Sequence, residues 1–451
     1  MSFQSCLKWR KRFVESGLKG LRDIPRRGRP QCGTAIVSVL KYFKDKLMRY
    51  SKGALLKLLH MLPVSSAFVG PPRRFASETP NWVKKWNSRN VKAKASCEII
   101  HAPSNICRSE PSTIYRSDAW QYQIWRQSQA VSTPPSESPA TFFSTIPNAR
   151  VFGADGCVIA PDDALLGDVS LDIDTVIAGD GGSNSVFQRL KLPALTYLKG
   201  EALLLTSLGG HNYFHWMFQV LPRLVLMEKA GVKLKGIETF FINKILAQFQ
   251  TETLEKLNVP VSRVLQCRPD THIQVDRLLL PSRPSRMSEM PLWVCEFLRE
   301  TFLPDKSALN AGRNGHKRIY VSRGDAQYRK VVHESELEAY LQGLGFETVV
   351  LGALTVAEQA ATFQSAEIII APHGAGLTNL VFCNPGTLII EIFAPSYINC
   401  CYWALSNWIG ARYWFILGSG ECVRDDMWGM GDDIYVDDNT FRKVLEASGV
   451  L

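Results

Sequence analysis

The residues with the greatest chemical potential stand in two short runs. The first is Gly209-Gly210-His211-Asn212-Tyr213-Phe214-His215-Trp216. An imidazole titrates near neutrality, so His211 and His215 are candidate general bases, able to take a proton from a hydroxyl. Asn212, Tyr213 and Trp216 add polar or amphipathic groups suited to holding the molecule that carries that hydroxyl. His211 and His215 are four residues apart and would share a helix face, the spacing of a metal-binding pair. No Glu stands between them in the H-E-x-x-H sense and spacing marks no third ligand, so no metal is expected. The structural alternative is a pair that only ties a helix end to loop carbonyls.

The second run is Ile368-Ile369-Ile370-Ala371-Pro372-His373-Gly374-Ala375-Gly376-Leu377-Thr378-Asn379. An apolar strand enters a Gly-containing turn and then a helix, which aims unpaired amides and the positive end of a helix dipole at an anion. A diphosphate is the natural occupant, with His373, Gly374, Gly376 and Asn379 as candidate contacts. Arg323 ends a further strand, Ile319-Tyr320-Val321-Ser322, and Arg329 and Lys330 follow it. A guanidinium can grip phosphate with two hydrogen bonds, although a solvated basic loop would account equally for Arg329 and Lys330. Glu391 lies inside the apolar run Leu388–Phe393. A carboxylate there needs a partner or a ligand, and ribose hydroxyls would supply one.

These residues need strands to carry them. From about residue 200, short apolar runs alternate with helical periods. Strands are expected at Ala202–Thr206, Thr239–Ile242, Arg277–Leu280, Arg318–Ser322, Glu347–Val350, Ile368–Ala371 and Leu388–Phe393. Helices are expected at His211–Ala230, Lys244–Leu257, Met290–Phe302, Glu334–Leu344, Val356–Gln364 and Leu377–Phe382. Such alternation predicts parallel βαβ units, here in two sets that face a cleft. Earlier, short strands are expected at Ala149–Phe152, Cys157–Ala160 and Thr175–Ala178, while residues 101–140, rich in Ser, Pro, Gln and Thr, read as loop or linker.

Composition narrows the function classes. The chain has 451 residues, 46% hydrophobic and 21% charged, long enough for at least two cores. Its net charge of +10 is confined to residues 1–50, which hold thirteen Lys/Arg against three Asp/Glu; the remainder is balanced. A nucleic-acid-binding surface on the main body is therefore not expected. Ile36, Leu40, Phe43 and Leu47 recur at helical spacing among lysines and arginine, a basic amphipathic helix that would lie on an anionic membrane or dock on the protein's own core. Eleven scattered cysteines without a C-x-x-C pair, with Cys400 and Cys401 read as buried thiols, together with the absence of a signal-peptide apolar segment, suggest a cytoplasmic protein, peripheral at the inner membrane face if that helix binds lipid.

Two resemblances follow from these motifs. Residues 1–30, through Trp9-Arg10-Lys11-Arg12-Phe13 and Pro25-Arg26-Arg27-Gly28-Arg29-Pro30, resemble the end of an insertion-sequence transposase helix-turn-helix. Only about one of the two helices that such a reader needs is present. Asn212-Tyr213-Phe214-His215-Trp216 with Leu221-Pro222-Arg223-Leu224, then Tyr320-Val321-Ser322-Arg323, Ala371–Asn379 and Pro385-Gly386-Thr387 through Glu391, resemble glycosyltransferase family 61 over roughly residues 140–420. That resemblance implies an α/β, GT-B-like fold: two Rossmann-like domains facing a cleft, here with a basic N-terminal extension. It also implies a nucleotide-sugar donor, commonly UDP-linked, used as substrate with no separate cofactor; inversion at the anomeric carbon without a required metal; and, for bacterial members, glycan or lipid-linked glycan acceptors of capsular and other surface polysaccharides. The family histidine falls on His215, its basic residue on Arg323 and its Gly-rich turn on His373, Gly374 and Gly376. His333 stands where related sequences carry Asn before Glu334. The expected organisation is a basic extension (1–50), a linker-rich region (51–140), an acceptor-side domain (141–310), a nucleotide-sugar domain (311–420) and a tail (421–451). A transposase-related DNA-binding protein and a nucleotide-binding protein without catalysis are the competing readings.

Overall fold

The computed structural model describes residues 65–67, 70–106, 108–115, 136–286, 289–303, 317–394, 397–419 and 431–451. The transposase-like run at 1–30 and the amphipathic pattern at 36–47 lie outside the described residues.

Short strands come first: β1 (Arg74–Ala76), β2 (Ser96–His101), β3 (Ser104–Ile106), β4 (Ser136–Ser138), β5 (Thr141–Pro147), β6 (Arg150–Phe152), β7 (Cys157–Ile159) and β8 (Ala164–Leu166). Then come β9 (Thr196–Leu204), β10 (Thr239–Ile242), β11 (Val264–Gln266) and β12 (His272–Pro281). Ten of these twelve form one sheet, and β3 and β4 pair separately. Its heart is parallel, in the order β12-β9-β10-β11. The chain winds from β9 to β10 to β11 on one side and then returns to place β12 on the other. The order therefore reverses between β9 and β12. Outside β12 the pairing turns antiparallel, through β5 and β2 along one part of β12 and through β6, β7 and β8 along the other. The expected Rossmann-like first half is thus a four-stranded parallel heart carried by a larger mixed sheet. The reason is local: the turn between β6 and β7 holds Gly153 and Gly156 at positive φ, and Asp163 does the same between β7 and β8. Tight turns reverse the chain where a crossover helix would have kept it parallel.

The second sheet contains β13 (Arg318–Val321), β14 (Glu347–Val349), β15 (Ile368–Pro372), β16 (Leu388–Phe393) and β17 (Arg412–Leu417), all parallel, in the order β14-β13-β15-β16-β17. Its order reverses between β13 and β15. Glu334–Gly343, Val356–Ser365 and Cys401–Ile409 supply connecting helices. Val356–Ser365 starts at a reciprocal cap, in which Thr355 Oγ1 accepts from the Glu358 amide while Glu358 Oε2 accepts from the Thr355 amide. Central strands buried on both faces, such as the wholly buried Leu388–Phe393, account for the unbroken apolar runs in the sequence.

Three local expectations change. Thr175–Ala178 is not a strand but the body of the helix Ile173–Ala178: Asp172 accepts from the Thr175 amide at 2.9 Å to start it, and Gly179 at φ 72° ends it. The long helix expected over His211–Ala230 is broken. One turn, Tyr213–His215, passes into a π-helix, Trp216–Val220, and a separate helix runs over Arg223–Lys229. The Leu221 amide bonds Trp216 five residues back, and Pro222 has no amide to continue the ladder. The segment expected at Leu377–Phe382 is a 3₁₀ helix, Ala375–Phe382.

Regions read as linker and tail join the cores. Helix Thr79–Arg89 buries Trp82 and Val83 against the first sheet. Ser112 bridges to Trp414 beside β17, and the Leu417 amide donates to Tyr115 Oη at 2.9 Å. The C-terminal helix Asp438–Ser448 packs Phe441, Val444 and Leu445 with Tyr320, Ile370 and Ile390 of the second sheet. Truncating such a buried ring removes about 3–5 kcal/mol. Phe441→Ala should lower the denaturation midpoint of the second sheet accordingly in urea titration; a shift below about 1 kcal/mol would mean that the helix is only loosely attached.

Candidate active site at two strand reversals

In open parallel sheets, ligands bind beyond the carboxyl ends of the strands where the order reverses. The two runs of sequence chemistry occupy these places. The 209–216 run follows β9 at the first reversal. Arg323 follows β13 and His373-Gly374 follow β15, at either side of the second.

The two places touch. Tyr213 Oη donates to Asn379 Oδ1 at 2.9 Å, and Asn379 Nδ2 donates to Gln359 Oε1 at 2.7 Å and to the Gly376 carbonyl at 3.1 Å. The Phe214 and Tyr402 rings meet edge to face at 5.9 Å. A cavity of about 200 Å³ lies at this junction, lined by Tyr213 and Phe249 from the first unit and by Ser322, Arg323, Asp325, Gly374 and Gly376 from the second.

On the first side, His215 is part-buried, with Nδ1 3.0 Å from Gln219 Oε1. That oxygen also accepts from Ser207 Oγ at 2.9 Å, while Gln219 Nε2 points to the Ser285 carbonyl at 3.5 Å. The amide orientation makes Nδ1 the protonated nitrogen and leaves the Nε2 lone pair free. Desolvation holds the imidazole below its usual pKa of 6.5; Gln219 opposes this, and Arg283 and His211 add to it. His215 is therefore neutral at pH 7. Gly209, at φ 68°, passes so close that a β-carbon there would lie 3.1 Å from His215 Cδ2 and 3.4 Å from Nε2. A β-carbon at Gly210 would overlap Asn243 Oδ1, which accepts from the Ser207 amide at 2.9 Å. His211 is exposed. Asn212 caps the short helix by accepting from the Phe214 amide at 2.9 Å.

On the second side, Arg323 is held by carbonyls. Its Nε donates to Arg329 O at 3.0 Å and its Nη2 to Tyr328 O at 2.9 Å. Burial and the neighbouring Arg329 lower its pKa, yet it remains charged at neutral pH. Gly374 has no side chain because a β-carbon there would overlap Arg323 Nη1; its backbone is extended, so space and not φ imposes the glycine. Arg329 is buried, at φ 54°, with its guanidinium 4.9 Å above the Tyr397 ring. Lys330 is exposed, with its amide bonded to Asp433 at 2.9 Å. His373 is buried among Phe393, Tyr397 and Tyr402, with Nδ1 2.5 Å from Glu391 Oε1. Desolvation lowers its pKa, Glu391 opposes this, and Arg329 and Arg323 reinforce it.

Three residues stand away from any ligand surface. Glu391 is 0% exposed, and its second oxygen accepts from Tyr413 Oη, so both oxygens are engaged behind His373 instead of facing a ribose. Asn379 is 0% exposed and ties the two units together. Trp216 is 0% exposed, its Nε1 donating to Thr253 Oγ1 at 2.8 Å within the core, so its ring offers nothing to an acceptor. Tyr213 keeps a ring edge on the cavity. Residues that the sequence reading missed are Gln219, Asn243, Tyr413, Asp155, which accepts from Asn243 Nδ2 at 3.4 Å, and Arg283. Gln219 was findable, one helical turn after His215, and Arg283 was too, as a cation just past an apolar strand. Asn243 and Tyr413 carry no such signal.

Such an arrangement defines a two-lobed α/β protein with a cavity lined from both lobes at the carboxyl ends of two parallel strand sets. Residues 213–390, under half of the chain, match the family model Glycosyltransferase 61. It is similar to a beta-1,2-xylosyltransferase of Oryza sativa subsp. japonica, 27% identical over 161 residues, covering 32% of this chain and 29% of that protein. A second rice beta-1,2-xylosyltransferase is 25% identical over 260 residues, covering 53% and 43%. An EGF domain-specific O-linked N-acetylglucosamine transferase of Drosophila melanogaster is 35% identical over 101 residues, covering 21% and 18%. The chain thus spans less than half the length of each of these relatives. Among the described residues, no helix is long and apolar enough to cross a membrane, and the seven cysteines are free, Cys400 and Cys401 being buried.

Glycine 374 gives a test that does not touch a charged group. Gly374→Ala should displace the Arg323 guanidinium and weaken diphosphate binding by about 10–100-fold, the worth of a charge-assisted contact. Calorimetric titration of the folded variant with UDP checks this; unchanged affinity would remove Arg323 from the anion site.

Proposed function

We propose that the protein is a GT-B-type glycosyltransferase that moves a sugar from a nucleotide-sugar, UDP-linked by preference, to a glycan hydroxyl with inversion and without a metal. The observation that carries this is the junction of the two strand reversals: a neutral imidazole with a free Nε2 follows β9 on one lobe, and a guanidinium beside a Gly-rich turn lines the cavity on the other, with Tyr213, two residues before His215, on the same cavity.

In the reaction, the acceptor hydroxyl passes its proton to His215 Nε2 as its oxygen attacks the anomeric carbon. The bond from that carbon to the diphosphate oxygen breaks on the opposite face, and the electron pair leaves with the diphosphate. Arg323 and the amides of Gly374–Gly376 stabilise this charge, doing by fixed donors what a cation does in other transferases. His373, held by Glu391 and Tyr413, lines the same turn; Glu391 acts through His373 as a positioning residue. Arg329 supports the loop that holds Arg323. Tyr213 and Asn212 form the acceptor side, and His211 stands at its rim. The relatives named above are transferases for xylose and N-acetylglucosamine, which supports sugar transfer as the shared activity. Surface or capsular polysaccharide as the product, and a cytoplasmic site of action peripheral to the membrane, are the reading that the bacterial family resemblance supports.

Two outcomes follow. His215→Ala should lower turnover by about 10²–10⁴-fold while leaving UDP affinity within a few-fold; near-normal turnover in a folded variant would take His215 out of the mechanism. Binding of UDP with no transfer or donor hydrolysis in the wild type would favour the non-catalytic reading. In the pH profile, a base must be neutral to act, and burial holds the His215 pKa below 6.5. The rate should therefore be flat above pH 7 and fall by about tenfold per pH unit only below the depressed pKa, an acid limb that His215→Ala abolishes.

A further inference from the structure

The first strand reversal holds a group of cations that transfer chemistry alone does not require. Arg283 lies two residues beyond β12. The segment that carries it runs along the helix bearing His215: Ser285 Oγ donates to Phe218 O at 3.0 Å, and the Ser285 carbonyl faces Gln219 Nε2 at 3.5 Å. Arg223 is 1% exposed, and its guanidinium meets only carbonyls, Gln219 O at 3.0 Å and Pro281 O at 3.5 Å. Desolvation first, and then Arg283, push the Arg223 pKa down to about 9. For Arg283, desolvation and then Arg286 push it down to about 10.

Nearby acids are committed elsewhere. Glu289 pairs with Arg286 at 3.2 Å. Asp168 accepts from the Thr79 amide at 2.8 Å and from Thr79 Oγ1 at 2.6 Å. Asp155 accepts from Asn243 Nδ2 at 3.4 Å. Among the described residues, Arg283 has no ion pair and no hydrogen bond, and it retains part of its surface in solvent. Arg223, bonded to the Pro281 carbonyl, and Arg283 stand at the same strand end; Glu289 and Asp168, the acids that act on Arg283, are each held by other partners, so an added anion would offset the excess of positive charge. Arg is also the side chain whose planar fork fits a carboxylate or phosphate.

We propose that Arg283, backed by Arg223, binds an oxyanion of the acceptor, so that the acceptor is an acidic sugar carrying a carboxylate or a phosphate next to the hydroxyl presented to His215. This rests on the transferase reading and adds the acceptor class to it. The subsite would orient the acceptor from the side opposite the Arg323 cradle, and its charge would also steer acidic glycans into the cleft.

The test is calorimetric titration of the full chain with glucuronate, glucose 6-phosphate and glucose, with UDP titrated separately. Wild type should bind one acidic sugar at least about tenfold more tightly than glucose, and which acid wins identifies carboxylate or phosphate. Arg283→Gln should erase that preference and leave UDP affinity unchanged. Should Arg283→Gln not fold, Arg283→Lys keeps the charge but loses the fork and should weaken acid-sugar binding several-fold. Equal binding of all three sugars by wild type, or an acid preference as large as that of wild type in either folded variant, would overturn the proposal. So would a loss of UDP affinity in Arg283→Gln matching that of Arg323→Ala, which would assign Arg283 to the donor. Failure of wild type to bind UDP at all would instead sink the transferase reading, and it is read in a separate titration.

Discussion

The architecture depends on the buried contact between Tyr213, Asn379 and Gln359. Neither side chain of the Tyr213–Asn379 pair can be left without its partner at low cost, since an unpaired buried polar group forfeits about 1–3 kcal/mol. Asn379 satisfies its amide on Gln359 and Gly376 and its carbonyl on Tyr213. Its orientation is thereby fixed, and with it the helix that follows the Gly-rich turn. Because Tyr213 opens the helix that carries His215, one chain of hydrogen bonds sets the spacing between the two lobes' chemical groups.

Around that junction, each reactive group is positioned by partners that do no chemistry themselves. Gln219 fixes the tautomer of His215, with Ser207 holding Gln219 in turn. Carbonyls of Tyr328 and Arg329 hold Arg323, and the bare backbone of Gly374 gives its guanidinium room. Glu391 and Tyr413 hold His373 from behind. The glycines at 209, 210 and 374 serve close approach: in each case a β-carbon would press on the side chain that the site uses or on the one that supports it.

The first lobe pairs neutral and cationic groups differently from the second. Its histidine is kept uncharged by desolvation, with Arg283 and His211 adding to it, whereas the second lobe's arginine stays charged because its intrinsic basicity outweighs burial. In the proposed reaction, a base on one side and a fixed cation on the other would divide the requirements of a displacement between two surfaces.

The sequence by itself determined the parallel second sheet, whose apolar blocks and helical periods are local patterns, and it marked His215, Arg323 and the 373–376 turn, because residues of unusual polarity at strand ends are visible without a fold. It also carried the family resemblance, through motifs short enough to read directly. Only the tertiary structure decided that Glu391, Asn379 and Trp216 face inward, since a strand or helix position has two sides and the neighbours that fill each side come from distant segments: Tyr413 for Glu391, Tyr213 for Asn379 and Thr253 for Trp216. It likewise decided that residues 108–115 and 438–448 complete the second lobe, and that Thr175–Ala178 coils instead of extending, where one capping carboxylate at Asp172 and a left-handed Gly179 outweigh the β-branched side chains between them. Burial and hydrogen-bond satisfaction are properties of pairs brought together from far apart in the chain, and a single run of sequence records only one member of each pair.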